Sequence, residues 1–274
     1  MMEISWCNKQ QAAAQLLLQL IFHLICQIVR SISSIQYRRK MADTRKIVRV
    51  DDSKLRILAF GNSLTEGYTD FGMTFHPYGH ALRDYLDEAF PDKEITVDVN
   101  GQSGDFVLNS LGGNFEDRLR RALRTEQKPR YDLVVMLGGT NDLAHKLSAG
   151  MQGSREIFEA GLKPLYEHVL EREKSNLVVI TVPERAIDTR EGSLASRARD
   201  YRLELNRLTM EWAKDQEQRE PKVFLFDLAP RVPFRENRDK DPEERIWSPD
   251  GLHMSQTGYD FFGIELAKFV KELV

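Results

Sequence analysis

The chain has 274 residues, of which 41% are hydrophobic and 30% charged, and its formal net charge is −3. This composition is close to the globular average, which argues against a disordered, coiled-coil or disulfide-scaffold protein. The near balance of acids and bases also argues against a general nucleic-acid-binding protein. We therefore expect one large globular domain, or two small ones, with an ordinary apolar core.

Residues 1–50 differ in charge from the rest of the chain. They hold eight Lys or Arg residues and two acids, whereas residues 51–274 hold 31 bases and 40 acids. This shift divides the chain into a basic, partly apolar leader, 1–50, and a main domain, 51–274. Both cysteines lie in the leader and no Asn-x-Ser/Thr sequon occurs, which together favour a cytoplasmic location for the main domain.

The leader contains one mostly apolar run, residues 16–29, with a polar residue at every fourth position. This spacing predicts a helix with a polar seam, shorter than the roughly 20 apolar residues of a membrane span. A cluster of cations follows the run, whereas a secretory signal carries its charge before it, and Met41 offers a second start. Three interpretations stay open: a dispensable extension, a membrane anchor or organellar address, and a helix packed on the domain.

In the main domain, short apolar runs alternate with longer helical patterns. Runs rich in Val, Ile, Leu or Phe and bounded by turn residues are typical of buried parallel strands. They predict strands at 55–60, 95–99, 133–137, 177–182 and 223–227. The helical patterns lie at 78–90, 116–124, 154–173, 195–218 and 257–273. This alternation predicts an α/β fold, a three-layer sandwich with helices on both faces of a parallel sheet.

Small and polar residues follow several of the predicted strands. They form the segments 61–64, 100–105 and 138–142, after the first three strands, and 248–253, in the loop after the fifth. In doubly wound sheets, ligands bind beyond the carboxyl ends of the strands. We therefore expect these segments to meet at one edge of the sheet and to form the functional site.

The residue types in these segments are those that acyl transfer requires. Ser63 lies where the first strand turns sharply, and a serine becomes a nucleophile when a base accepts its proton. His253 is the candidate base, and Asp250, three residues earlier, can orient its ring. The backbone N–H groups of Ser63 and Gly104 and the side-chain amide of Asn141 are candidate donors to an oxyanion.

Each of these residues also has a structural explanation when it is taken alone. Ser63 could be a helix N-cap, Gly104 a turn residue, and Asn141 with Asp142 a capping pair. Their joint placement at the ends of different strands favours catalysis over these separate explanations.

Two further features stay outside this constellation. Trp247 either lines an acyl pocket or covers the core beneath its loop. His76 and His80 have a spacing that could bind a metal on a helix face. However, Pro77 and Gly79 lie between them and the sequence supplies no clear third ligand, so we predict no metal site.

The segments 61–64, 104, 138–142 and 250–253 resemble, in this order, the four sequence blocks of the SGNH, or GDSL-type, hydrolases. The resemblance implies a flavodoxin-like sheet of order 2-1-3-4-5 and hydrolysis of carboxylic esters through an acyl-serine, without metal or cofactor. It also implies a triad of Ser63, His253 and Asp250, and an oxyanion hole of Ser63, Gly104 and Asn141. One departure is Asn62, which replaces the usual aspartate of the first block. Because an amide can still make hydrogen bonds in that turn, we expect its geometry to survive with a changed local charge.

We therefore predict a serine hydrolase that cleaves small or short-chain acyl esters, with a small-molecule ester and no nucleic acid as its partner. Two alternatives stay open. One is a lysophospholipase or thioesterase of the same family, which needs a longer apolar channel and which the leader could hold near membranes. The other is a non-catalytic binding module on the same fold, which the Asn62 replacement allows.

Overall fold

The computed structural model describes residues 46, 47, 49, 51–124, 130–171, 174–216, 218–237, 240–241 and 243–274. A compact unit spans Ile47–Val274. The interpretations of the leader fall on residues that lie almost entirely outside the described part of the chain. Among the described residues, no helix is long and apolar enough to cross a membrane.

A parallel sheet of five strands forms the centre of the unit. In chain order, the strands of the domain are β1 (Lys54–Asn62), β2 (Tyr68–Thr69), β3 (Thr74–Phe75), β4 (Glu94–Gln102), β5 (Leu133–Leu137), β6 (Asn176–Ile180) and β7 (Val223–Phe226). The large sheet has the order β4-β1-β5-β6-β7, which is 2-1-3-4-5 when its own strands are counted along the chain. The remaining strands, β2 and β3, pair as a separate antiparallel hairpin that the sequence did not predict. The predicted α/β class is confirmed.

Helices follow or separate these strands. They are α1 (Ser63–Glu66), α2 (Tyr78–Ala89), α3 (Phe115–Leu123), α4 (Thr140–His145), α5 (Gly150–Glu156), α6 (Lys163–Glu171), α7 (Ser193–Asp215), α8 (Phe234–Asn237) and α9 (Gln256–Leu273). A π-helical segment, Ile157–Leu162, joins α5 to α6, so the helix predicted at 154–173 begins earlier than expected. The short helices α1, α4 and α8 were not predicted, because four to six residues are too few to show a helical period.

Buried apolar side chains cover both faces of the large sheet. Successive side chains of a strand point to opposite faces, and β1 and β5 follow this rule. One core contains Ile57 and Val135 together with side chains of α2 and α9. The other contains Leu58 and Val134 together with side chains of α3, α6 and α7. This three-layer packing leaves the carboxyl ends of the strands at one edge, where the candidate site lies.

Candidate active site

Ser63 lies at the turn from β1 into α1. It is the first residue of α1 and directly follows the last residue of β1, and it is only 4% exposed. The N-cap of this helix is Asn62, whose Oδ1 accepts a hydrogen bond from the Leu64 N–H at 3.4 Å. The explanation of Ser63 as an N-cap is therefore wrong, because the buried side chain of Asn62 caps this helix.

The Ser63 hydroxyl contacts a histidine from a distant loop. Its Oγ lies 2.9 Å from Nε2 of His253, and Nδ1 of the same ring lies 2.7 Å from Oδ2 of Asp250. An ionised carboxylate can only accept hydrogen bonds, so the ring proton lies on Nδ1 and Nε2 accepts from the serine. This arrangement is the one that a serine needs in order to lose its proton to a base. The structure thus brings together Ser63, His253 and Asp250.

Asp250 is held by the backbone of its own loop. Its Oδ1 accepts the N–H groups of Leu252 and His253, each at 2.9 Å. Burial alone would raise the pKa of Asp250, but hydrogen bonds from His253 and Leu252 outweigh burial and lower this pKa below its usual value. The carboxylate is therefore ionised at neutral pH, which lets it orient and stabilise a protonated imidazole.

The loop that carries Asp250 and His253 is folded back on itself. The Ser248 N–H donates to the His253 carbonyl at 2.9 Å, and Trp247 pairs with Met254 in an antiparallel bridge. Trp247 is 1% exposed and its indole N–H donates to the carbonyl of Val232 at 3.2 Å. Of its two interpretations, the structure favours the one in which Trp247 covers the core beneath the loop.

Gly104 lies in the turn after β4. Its φ is +77°, in the left-handed region that glycine adopts without strain. A methyl side chain here would have no heavy atom within 4 Å, so Gly104 faces open space. The neighbouring Ser103 donates its N–H to Oε2 of Glu66, the last residue of α1, at 2.7 Å. The Gly104 turn is thus tied to the short helix that begins with Ser63.

Asn141 is the second residue of α4. Its side-chain Nδ2 donates to the backbone carbonyl of Asp105 at 2.8 Å, so Asn141 is linked to the residue that follows Gly104. The N-cap of α4 is Gly139, and the capping explanation of Asn141 is therefore wrong. An amide nitrogen carries two hydrogens, and this bond uses one of them.

Asp142 on α4 also holds the loop that follows Gly104. Its carboxylate oxygens accept the N–H groups of Val107 and Leu108 at 3.2 and 3.0 Å. Burial raises the pKa of Asp142 to about 6, although these hydrogen bonds oppose the shift. Asp142 is wholly buried, so its role is structural and it holds the loop after Gly104 against the helix of Asn141.

Sequence reasoning missed Arg118, which lies on α3 behind the site. Its Nε donates to Oδ2 of Asp105 at 2.8 Å, one Nη to the Gly61 carbonyl at 2.7 Å, and the other Nη to Oδ1 of Asn100 at 2.6 Å. Arg118 is only 8% exposed. In the sequence it is one of several arginines in a charged helix, and the only signal for its burial is its helical spacing from Phe115 on the apolar face.

Sequence reasoning also missed the β2–β3 hairpin. The ring of Tyr68 lies 4.3 Å from the His253 ring between centroids, and Phe75 meets Tyr68 edge-on at 6.0 Å. At the hairpin tip, Phe71 and Met73 are 71% and 86% exposed. Strands of two residues are too short for an alternating pattern, so the sequence held no signal for this apolar surface beside His253.

Of the two histidines His76 and His80, His76 contacts a carboxylate. Nε2 of His76 lies 2.7 Å from Oδ1 of Asp260 on α9. In the part of the chain that the structure describes, no group of at least three His, Cys, Asp or Glu side chains could hold a metal ion.

Comparison with known proteins finds one matching family and several solved structures with a similar fold. The model of the GDSL-like lipase/acylhydrolase family matches residues 59–261, a range that includes every site residue described above. An aryl esterase from M. smegmatis is 19% identical over 80% of this chain and 100% of its own, with a TM-score of 0.55. A lipase/acylhydrolase from Enterococcus faecalis is 23% identical over 79% of this chain and 95% of its own, with a TM-score of 0.50. A carbohydrate acetylesterase family member from Sinorhizobium meliloti is 18% identical over 80% and 99%, with a TM-score of 0.52. At these identities the solved structures show a shared fold, and no curated protein matches the sequence.

Proposed function

Because the chain belongs to the GDSL-like lipase/acylhydrolase family, we propose that it hydrolyses small or short-chain carboxylic esters through an acyl-serine intermediate. The observation that carries the proposal is the pair of hydrogen bonds from Ser63 through His253 to Asp250, at 2.9 and 2.7 Å. A serine, a base and a carboxylate in this order form the arrangement that activates serine nucleophiles on unrelated folds.

In the first half of the reaction, Ser63 Oγ attacks the ester carbonyl carbon while Nε2 of His253 accepts the hydroxyl proton. The carbonyl π electrons move to the oxygen, and the imidazolium that forms is stabilised by Asp250. When the tetrahedral intermediate collapses, the ester C–O bond breaks and His253 returns the proton to the departing alcohol. The acyl group is then bound to Ser63 as an ester.

In the second half, water takes the place of the alcohol. His253 accepts a proton from the water as its oxygen attacks the acyl carbon, and returns it to Ser63 Oγ as the carboxylic acid leaves. Because the same base serves both halves, a single histidine completes the cycle.

The negative oxygen of each tetrahedral intermediate requires hydrogen-bond donors. We assign this role to the N–H groups of Ser63 and Gly104 and to Nδ2 of Asn141. The open space at Gly104 and the uncommitted amide hydrogen of Asn141 support the assignment. Donors that are fixed before the reaction stabilise charge without a cost of reorganisation at the moment it forms.

The test compares wild-type protein with Ser63→Ala on p-nitrophenyl acetate, with EDTA present throughout. We expect turnover by the wild type, none by Ser63→Ala, and equal thermal stability, since the hydroxyl is small and its main partner is His253. A folded wild type that is inert on a broad panel of esters would instead favour the non-catalytic binding module.

One observation favours the second candidate, a lysophospholipase or thioesterase. The exposed side chains of Phe71 and Met73 lie in the same hairpin as Tyr68, whose ring contacts the His253 ring. Exposed apolar surface next to a site is typical of ligand-binding grooves. A series of p-nitrophenyl esters from acetyl to dodecanoyl separates the two: kcat/KM falls with chain length for a short-chain esterase and rises for a lysophospholipase or thioesterase.

A further inference from the structure

Arg118 and Asp105 form a buried ion pair behind the proposed oxyanion site. Nε of Arg118 lies 2.8 Å from Oδ2 of Asp105, and the two side chains are 8% and 2% exposed. Burial of two charges removes their hydration, and an apolar pair of similar volume is often no less stable. Contribution to stability is therefore a weak explanation for this pair, and its hydrogen-bond partners suggest a more specific role.

The other donors of Arg118 reach the strand ends that lead to the site. One Nη donates to the carbonyl of Gly61, two residues before Ser63, and the other donates to both the side chain and the carbonyl of Asn100. The planar guanidinium of arginine can serve several acceptors in fixed directions, whereas lysine presents one compact charge. Arg118 therefore ties the end of β1 to the end of β4.

Asp105 extends this network to the other proposed donors. It directly follows Gly104, and its Oδ1 accepts the N–H groups of Phe106 and Asn114 at 3.0 and 2.8 Å. Its backbone carbonyl accepts Nδ2 of Asn141 at 2.8 Å. The position of one buried carboxylate thus fixes both the Gly104 turn and the orientation of the Asn141 amide.

We propose that the Arg118–Asp105 pair positions the oxyanion donors, so that Ser63, Gly104 and Asn141 are aligned before the substrate binds. This role rests on the ester hydrolase proposed above. We call Arg118 a positioning residue because it acts through other residues. Its guanidinium packs on the rings of Phe60 and Phe115, at 4.8 and 5.4 Å from their centroids. Without the pair, the donors lose their alignment, while the hydrogen bond between His253 and Asp250, which lies in a different loop, remains.

The test measures kcat and KM on p-nitrophenyl acetate for Arg118→Met, Arg118→Lys and Asp105→Asn. The kcat of each variant is calculated from the concentration of folded protein. We expect kcat of Arg118→Met to fall about 100-fold, since misplacement of catalytic groups by about 1 Å can cost that much. KM should stay within about twofold, because the donors act mainly in the transition state. Arg118→Lys should recover part of the loss, and Asp105→Asn, which is nearly isosteric, keeps the proposal testable if Arg118→Met does not fold.

Asn176→Ala is the matched control for loss of a buried polar contact. Asn176 is wholly buried at the start of β6, the opposite end of the strands, and its side chain bonds the Asp132 carbonyl and the Lys222 N–H at 2.7 and 3.0 Å. This variant should lose stability and keep the kcat of the folded enzyme. A fall in its kcat equal to that of Arg118→Met would show a general effect of destabilisation and would overturn the positioning role.

A double-mutant cycle gives a second readout. If Arg118 acts partly through Asn141, the loss of kcat in Arg118→Met with Asn141→Ala is smaller than the product of the single losses. Fully multiplicative losses, or an Arg118→Met kcat within about threefold of wild type, would refute the positioning role and leave the proposed ester hydrolase standing. A wild type without turnover would refute the ester hydrolase and this role with it.

Discussion

Replacement of Asn141 by alanine separates a role in catalysis from a role in stability. The change removes the hydrogen bond from Nδ2 to the Asp105 carbonyl at 2.8 Å and the second amide hydrogen that we assign to the oxyanion. Since Asn141 does not cap its helix, the expected loss of stability is that of one ordinary hydrogen bond, about 0.5–1.5 kcal/mol. Loss of one oxyanion donor costs about 10²- to 10³-fold in kcat, or about 2.7–4 kcal/mol in transition-state stabilisation.

The two effects fall on different measurements. Thermal unfolding reports the small loss of stability, and initial rates on p-nitrophenyl acetate report kcat and KM. We expect KM to change little, because the donor contacts the carbonyl oxygen most strongly when that oxygen carries charge.

Asn141→Asp sharpens the comparison because it preserves the size of the side chain. A carboxylate cannot donate to the Asp105 carbonyl, and it brings negative charge to the place where the oxyanion forms. We expect kcat at least as low as that of Asn141→Ala. A near-normal kcat in both variants, with reduced stability, would refute the oxyanion role and leave Asn141 as a loop-fastening residue.

Three further predictions follow from the same geometry. Gly104→Ala should lower the free energy of unfolding by only about 1–2 kcal/mol, because the φ of Gly104 is +77° and no atom lies within 4 Å of the added methyl. Its kcat/KM should fall by more than this loss of stability explains, and the fall should be greater for bulkier esters. An unchanged kcat/KM would show that Gly104 does not face the substrate. The pKa of Asp250 is lowered below its usual value of 3.8, so the contribution of this carboxylate to stability is complete above pH 3.8 and is lost as the pH falls below it. The difference in stability between wild type and Asp250→Asn, measured by thermal unfolding with circular dichroism, should stay constant above pH 3.8, and a loss of that difference at higher pH would contradict the assignment. A shortened chain that begins at Met41 retains Ile47, whose N–H donates to the Leu273 carbonyl at 2.9 Å; we expect it to fold with unchanged kcat/KM, and a folding defect would show that residues 1–40 pack on the domain.

The fold was largely predictable because its main elements carry strong periodic signals. Strands such as β5, buried along its whole length, read as unbroken apolar runs, and α9 shows its apolar face over eighteen residues. The β2–β3 hairpin gave no such signal, because its strands are two residues long.

The residues of the candidate site were predictable because strand ends gather at one edge of a parallel sheet. Ser63 and His253 are 190 positions apart in the chain, and in the sequence they are related by that topological rule and by the resemblance to the SGNH blocks. The supporting residues were not predictable in this way. The period of α3 places Arg118 on the same face as Phe115 and Leu119, but its hydrogen-bond partners depend on the conformation of the Asp105 loop, which cannot be derived from local sequence.

Covalent labelling with a fluorophosphonate probe, followed by identification of the modified peptide, tests the central claim most directly. Such a probe reacts with a serine only when a base activates the hydroxyl, so it reports the nucleophile without the need to know the natural ester. We expect one label per chain, on Ser63, with none in Ser63→Ala. A folded wild-type protein that takes up no label, or that is labelled elsewhere and not on Ser63, would contradict the claim that Ser63 is the nucleophile of a serine hydrolase.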